Sequence, residues 1–261
     1  MKNLEINGLD SDNRKKILCI GAHPDDVELG MGGTTAKHAH RGDDVLMVIC
    51  TLGIGGISGD AHERELEARA SAKILNCGLR IIDFPVLKLN RVSAEFSGIM
   101  RRLIEEFNPD RLYTHSPCDY HQVHESVAEC VMRASNDVPQ ILHFEVSSST
   151  TPEFRPNAYV DITDFINLKI QCLRTHNTQA AKNYMQENIT KSLAHSRYVL
   201  GKFGSRPAGM AESFAIARFV VTDTRPRIKR LQEQAVRSTV SSGHKEQHRL
   251  GDLSSGATSS A

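Results

Sequence analysis

Tryptophan is absent from this 261-residue chain, and aromatic residues make up only 5% of it. That leaves little material for the stacking platform that single-stranded nucleic acid needs. Nor is there a charge excess: 32 Lys and Arg stand against 31 Asp and Glu, a net charge of +1. Such a balance leaves no electrostatic footprint for nucleic acid or for an anionic membrane surface. No apolar run approaches the roughly 20 residues of a membrane span. The opening stretch MKNLEINGLDSDNRKK lacks the apolar segment of a signal peptide and does not read as a transit peptide. The six cysteines, Cys19, Cys50, Cys77, Cys118, Cys130 and Cys172, show no CxxC spacing. Buried free thiols in a reducing cytoplasm are therefore expected, not disulfides or a thiolate metal site.

What remains is the composition of a soluble α/β domain, 39% hydrophobic and 24% charged. The first half alternates. Lys16 to Ala22 and Val45 to Cys50 are short apolar runs of the kind found in buried parallel strands. Arg80 to Asp83 and Arg111 to Thr114 read as a third and a fourth strand. Helices are expected over Gly32 to Arg41, from Asp60 to about Asn76, and over Ala94 to Phe107. Asp60 and Glu63 are spaced like an N-cap and its capping-box partner. Repeated strand–helix units imply parallel strands joined by right-handed crossovers. The fold expected is α/β, a Rossmann-like, mostly parallel sheet flanked by helices, with a smaller C-terminal β/α portion. Further strands are expected at Ile141 to Val146, Ala158 to Asp161 and Glu212 to Val221, and helices at Thr163 to Thr175 and Ala180 to Phe203. Residues 1–223 read as one domain. Residues 224–261 are basic, rich in Ser and Gly and poor in large apolar residues, and are expected to be a disordered tail with a short helix near Ile228 to Val236.

The densest chemistry lies in Gly21-Ala22-His23-Pro24-Asp25-Asp26-Val27-Glu28-Leu29-Gly30, directly after the first strand. In open α/β sheets, ligands bind at the carboxyl ends of strands. Zinc accepts imidazole nitrogen and carboxylate oxygen, and catalytic sites use three protein ligands with one position open. His23 and Asp26, on one tight turn, can both reach an ion. Asp25, between them, points elsewhere and can serve as a base. A helix cap is the plain alternative for either aspartate. A third ligand must come from another loop. Asp119-Tyr120-His121-Gln122-Val123-His124-Glu125 follows the fourth strand and emerges on the same sheet edge. If a helix starts there, His121 and His124 share a face, so that one binds metal and the other faces substrate. They can also be solvated loop residues. The glycines from Gly30 to Gly33 meet neither the dinucleotide pattern nor the P-loop pattern. His38 and His40 are expected on a solvated helix face, and His143 and His176 in structural roles.

These residues resemble the signature of the LmbE-like, or PIG-L-like, zinc-dependent N-acetylglucosaminyl de-N-acetylases. GAHPDDVELGMGGT, from Gly21 to Thr34, is similar to the family's N-terminal signature. Thr51-Leu52-Gly53 with Arg64 to Arg69, then Pro117-x-Asp119-x-His121-x-x-His124, resemble further segments. So do Phe154 to Asn157, Asp161 to Thr163 and His176 to Gln179. The resemblance implies a Rossmann-like fold and hydrolysis of an N-acetyl group on an amino sugar or its conjugate. It assigns metal ligation to His23, Asp26 and His124, the general base role to Asp25, and oxyanion stabilisation to His121. Arg64 falls at a substrate-binding position; a surface ion pair with Asp60 or Glu67 is its alternative. Zinc is the implied cofactor, with another divalent ion as the substitute. The implied partner is a small N-acetylated sugar or glycoconjugate, and homo-oligomers are common in the family. An amidase of a thiol-sugar conjugate is the runner-up, and a metal-binding relative without turnover is the reading from another class. Val123 stands where the family has an Asp that pairs with His121, which leaves Asp119 as the candidate substitute. The loops Thr51 to Gly59, Phe84 to Ser93 and Ser147 to Asn157 are expected to frame the pocket.

Overall fold

The computed structural model describes residues 14–53, 60–89, 92–204 and 207–221. The chain separates into two units, Met1–Val220 and Val221–Ala261, and every element below belongs to the first. The expected tail, its short helix and most of the loop after Thr51 lie outside the described residues.

Seven strands form one sheet. They are β1 (Lys16–Gly21), β2 (Asp44–Ile49), β3 (Gly78–Ile81), β4 (Arg111–His115), β5 (Gln140–Phe144), β6 (Ala158–Asp161) and β7 (Ala211–Phe219). Their order is β3-β2-β1-β4-β5-β7-β6. The first five are parallel, β7 runs antiparallel to β5, and β6 antiparallel to β7. The C-terminal strands thus extend the same sheet. Among the described residues there are six α-helices: α1 (Asp26–His40), α2 (Ala61–Leu75), α3 (Ala94–Phe107), α4 (Gln122–Ala134), α5 (Ile166–Leu173) and α6 (Glu187–Leu200). No helix among the described residues is long and apolar enough to cross a membrane.

Local chemistry explains most boundaries. Asp60 Oδ1 accepts the His62 N–H and caps α2, while Asn76, at φ 54°, ends it. Ser93 caps α3 through the Phe96 N–H, and Asn108, at φ 51°, closes it. Such left-handed ends suit Asn. The central strand β1 is buried from Ile17 to Gly21, as a strand covered on both faces must be. One apolar cluster joins Leu18 and Ile20 to Phe96, Leu103 and Val127; a second joins Ile17 and Cys19 to Met31, Tyr113 and Phe214. Four of the six free cysteines are buried, and Cys77 and Cys118 are half-buried.

Helix α1 differs from its expected bounds. It begins at Asp26, not Gly32, so Gly30 lies inside it together with Gly32 and Gly33. A Cβ on Gly30 would stand 2.5 Å from Phe144 Cδ2, and one on Gly33 would stand 2.7 Å from Ile162 Cδ1. The glycines let α1 press against β5 and the segment after β6, a reason that local propensity does not register. The 180–203 segment also differs: α6 starts at Glu187, after short 3₁₀ turns at Asn177–Gln179 and Asn183–Met185.

Strand β1 lies between β2 and β4, with crossovers leaving it in both directions. The carboxyl ends of β1 and β4 therefore open onto the switch-point crevice of the sheet. The turn Ala22–Asp25 and the loop Ser116–His121 both start there.

Candidate active site

The tight turn after β1 sets the first half of the site. Asp25 takes a left-handed conformation, φ 103°, which a non-glycine residue adopts only under constraint. Asp26 then opens α1. Its Oδ2 accepts the His23 N–H at 2.7 Å, which closes the turn on itself. The two aspartates separate: Asp26 faces the histidines, while Asp25 Oδ1 lies 3.7 Å from Arg64 Nη2. Arg64 is buried and donates to the carbonyls of Pro24 and Leu52, at 2.9 and 3.0 Å. Its surface-pair alternative is thereby excluded: the guanidinium braces the turn.

The loop after β4 supplies the second half. His121 is the N-cap of α4, its Nδ1 accepting the Val123 N–H at 3.3 Å. His124, one turn on, is buried and points back at the first loop. His23 Nδ1 lies 3.2 Å from His124 Nε2 and 3.3 Å from Asp26 Oδ2. His124 Nε2 lies 3.4 Å from Asp26 Oδ1. In a tetrahedral site with bonds of ~2.0–2.1 Å, donor atoms stand about 3.3 Å apart. His23, Asp26 and His124 therefore stand pairwise at the spacing of ligands to one divalent ion, His23 against Oδ2 of Asp26 and His124 against Oδ1.

The electrostatics agree. Burial opposes a charge on His124, but Asp26 and Asp119 outweigh it and raise the ring to about 10. Burial likewise opposes ionisation of Asp26, and the charge on His124 outweighs it, holding the carboxyl well below its usual range. The field that keeps a proton on His124 favours a cation in its place. Burial, reinforced by Asp26, pushes Asp25 up to about 7. Burial, with His124 and His23 nearby, pushes His121 down to about 4.

Among the described residues, the donor sets that offer one atom each, all within 4.8 Å of one another, are His23–His121–His124 and Asp26–His115–His124, so the expected trio of His23, Asp26 and His124 is divided between them. The second is weaker than it looks. His115 Nε2 accepts the Ala22 N–H at 2.8 Å, so its lone pair is already used. Burial and His124 push this ring down to about 4, and its 3.1 Å approach to Asp26 Oδ2 is then not an ion pair. His115 is a neutral brace for the turn that carries His23 and Asp26. Its one sequence signal is its place, a histidine at the end of an apolar strand.

Asp119 does not substitute for the missing acid at 123. Its Oδ2 lies 3.1 Å from His124 Nδ1, and its Oδ1 accepts the His121 backbone N–H at 2.8 Å. It orients the His124 ring, not the His121 ring. Val123 is buried in the apolar core. His176 is fully buried, its Nε2 3.1 Å from Glu28 Oε1. His143 donates to the His115 carbonyl. The solvated reading of His38 is corrected: the ring is buried, 2.6 Å from Asp43 Oδ2 and 3.1 Å from Tyr113 Oη, while His40 is exposed.

A polar cavity of ≈ 440 Å³ brings His23, Asp25, Asp26, Arg64, His121 and His124 together. Of the loops expected to frame it, Ser147 to Asn157 contributes Ser148, the described residues of Phe84 to Ser93 do not line it, and residues 54–59 lie outside the described chain. The opposite wall is Gln179, Lys182 and Tyr184. Sequence reasoning missed Lys182 and Tyr184 because it ran a helix from Ala180 to Phe203 through them, and it gave Gln179, part of the resemblance, no place in the pocket.

Known proteins share this sequence pattern and this fold. The family profile described as PIG-L, GlcNAc-PI de-N-acetylase, matches residues 18–135. YaiS of Escherichia coli (strain K12), named an uncharacterized deacetylase, is 35% identical over 175 residues, covering 64% of this chain and 92% of its own. The diacetylchitobiose deacetylase of Thermococcus kodakarensis is 29% identical over 187 residues, covering 63% and 70%. Among solved structures, the conserved protein TT1542 from Thermus thermophilus superposes with a TM-score of 0.68 at 20% identity, covering 80% of this chain and 97% of that one. The 4-carboxy-2-hydroxymuconate hydratase GalB superposes at 0.66 and 21%, covering 81% and 99%. At these identities the two structures speak for the fold alone. The second also shows that the fold carries more than one chemistry, so function must be argued from the site.

Proposed function

The chain belongs to the PIG-L, or LmbE-like, de-N-acetylase family, and on that premise we propose that it is a zinc-dependent hydrolase. It removes the N-acetyl group from an amino sugar or sugar conjugate. One observation carries the reading: three donors spaced for one ion, with a separate buried carboxyl, Asp25, on the same cavity.

His23, Asp26 and His124 would hold the ion, with Asp119 fixing the His124 ring so that Nε2 faces it. A divalent ion bound there acidifies water and polarises an acyl oxygen. Asp25 is the general base. Its elevated proton affinity suits it to take a proton from the attacking water and return it to the leaving amine. Arg64 keeps Asp25 facing the cavity and borders the space where the acyl group sits.

His121 supplies the oxyanion contact without needing to be charged. Because Nδ1 accepts the Val123 N–H, the neutral ring carries its proton on Nε2, the nitrogen on the far side from that bond. A neutral donor fixed in this tautomer can still stabilise developing charge, at ~10²–10³ in rate for one such contact. Loss of the acid at position 123 is therefore compatible with turnover.

The products are acetate and a free amine. The test is acetate release from a panel of N-acetylated sugars and glycoconjugates, with a chelator and after zinc is restored. Release that the chelator abolishes and zinc recovers is expected. A zinc-loaded protein that releases no acetate from any member would overturn the reading.

A further inference from the structure

Helix α1 is broken. Met31 has φ −151° and ψ 23°, outside helical space. In a continuous helix the Gly33 N–H would donate to the Leu29 carbonyl. Here that bond is replaced by a buried ion pair from two distant elements. Lys169 Nζ, from α5, donates to the Leu29 carbonyl at 2.7 Å and to Glu212 Oε1 at 2.6 Å. Glu212, from β7, accepts the Gly33 N–H on Oε1 at 3.0 Å and the Thr34 N–H on Oε2 at 2.7 Å. The ammonium thus terminates the first segment of α1, and the carboxylate caps the second.

The first segment is the one that carries the candidate site. Leu29 is held at both ends: its carbonyl by Lys169, and its N–H by the Asp25 carbonyl at 2.8 Å. Lys169 is therefore two hydrogen bonds from the backbone of Asp25, the residue held at positive φ. Gly32 makes room for it, since a Cβ there would stand 3.3 Å from Lys169 Cγ. Both charged groups are buried, and replacing such a pair by apolar residues is often neutral for stability or better. Stability alone does not account for a buried lysine and glutamate placed at one break in a helix.

We propose that Lys169 and Glu212 are positioning residues that hold α1 broken at Met31, so that Asp25 and Asp26 meet the loop after β4 in ligand and base geometry. The proposal rests on the metal-dependent reading for its catalytic arm, and on the fit of His23, Asp26 and His124 to an ion for its binding arm.

The test is the double variant Lys169→Leu/Glu212→Gln, which leaves neither charge buried alone. Three quantities are read: melting temperature, zinc affinity by chelator competition, and the separate kcat and KM for acetate release. With the fold retained, zinc affinity is expected to fall ~10- to 100-fold, in the range for second-sphere partners. The visible spectrum of the cobalt-substituted protein should change with it, and kcat should fall more than KM. Zinc affinity, cobalt spectrum and kcat all within about twofold of the parent would show the pair to be packing only. If the double variant does not fold, Glu212→Gln alone carries the same readouts. The zinc and cobalt measurements need no substrate. A parent protein that binds zinc and releases no acetate would overturn the proposed activity, while the binding arm still decides the role of the pair.

Discussion

Asp119 Oδ2 lies 3.1 Å from Nδ1 of His124, on the side of the ring away from Asp26. The contact fixes which nitrogen of His124 faces the cavity. It also raises the basicity of that nitrogen, as a carboxylate behind a metal-binding histidine does. Asp119→Asn should therefore weaken zinc binding by ~10- to 100-fold without unfolding the chain. Chelator competition checks this, and unchanged affinity would remove Asp119 from the site.

Asp25→Asn should retain zinc and lose turnover by ~10²–10⁴, the usual worth of a positioned base. The parent should show an acid limb in kcat/KM. Asp25 must be ionised to act, and burial with Asp26 beside it raises its carboxyl to about 7. A bound cation draws that value down, so the limb should lie at or below about 7 and disappear from the residual activity of the Asn variant. A pH–rate profile of both proteins decides it.

The Glu28–His176 pair predicts a pH window of stability. Burial opposes the charge on His176, but Glu28 outweighs it and raises the ring above its ordinary 6.5. That contribution is complete below 6.5 and is lost as pH rises through the folded value. Burial also opposes ionisation of Glu28, and His176 outweighs it, lowering the carboxyl below 4.5. That contribution is complete above 4.5 and is lost as pH falls through the folded value. The pair is strongest between the two, so Glu28→Gln should lower the melting temperature most near pH 5–6 and less on either side. A pH-independent difference would dissociate the pair from stability.

Gly30→Ala should destabilise the chain by about 1–3 kcal/mol, the range for forcing atoms into a packed core. Its Cβ would stand 2.5 Å from the Phe144 ring, which is itself buried against His115. Denaturant titration measures the change. A variant as stable as the parent would mean that β5 yields more readily than its burial suggests.

Most of the fold was legible because it is written in local signals. Buried β-branched runs marked β1 and β2, and Asp60 caps α2 where its spacing from Glu63 placed a helix start. The illegible parts depend on distant atoms. The start of α1 at Asp26 depends on Phe144, Ile162, Lys169 and Glu212, all more than a hundred residues away. The cavity wall at Gln179, Lys182 and Tyr184 falls in a stretch whose helical pattern gives no warning of 3₁₀ turns.

By itself the sequence determined the inventory: two short segments, one after β1 and one after β4, with every residue needed for a metal, a base and a donor. Chain order and the rule of parallel strands were enough to place both on one edge. Only the tertiary structure decided which atoms each of these residues meets. The separation of Asp25 from Asp26 follows from a left-handed turn braced by Arg64, and the use of Asp119 on His124 follows from the cap of α4. The retirement of His115 from the ligand set follows from one backbone N–H. Residue type sets what an atom can do; its hydrogen-bond partners, brought in by distant chain, decide which of those things is left for it to do.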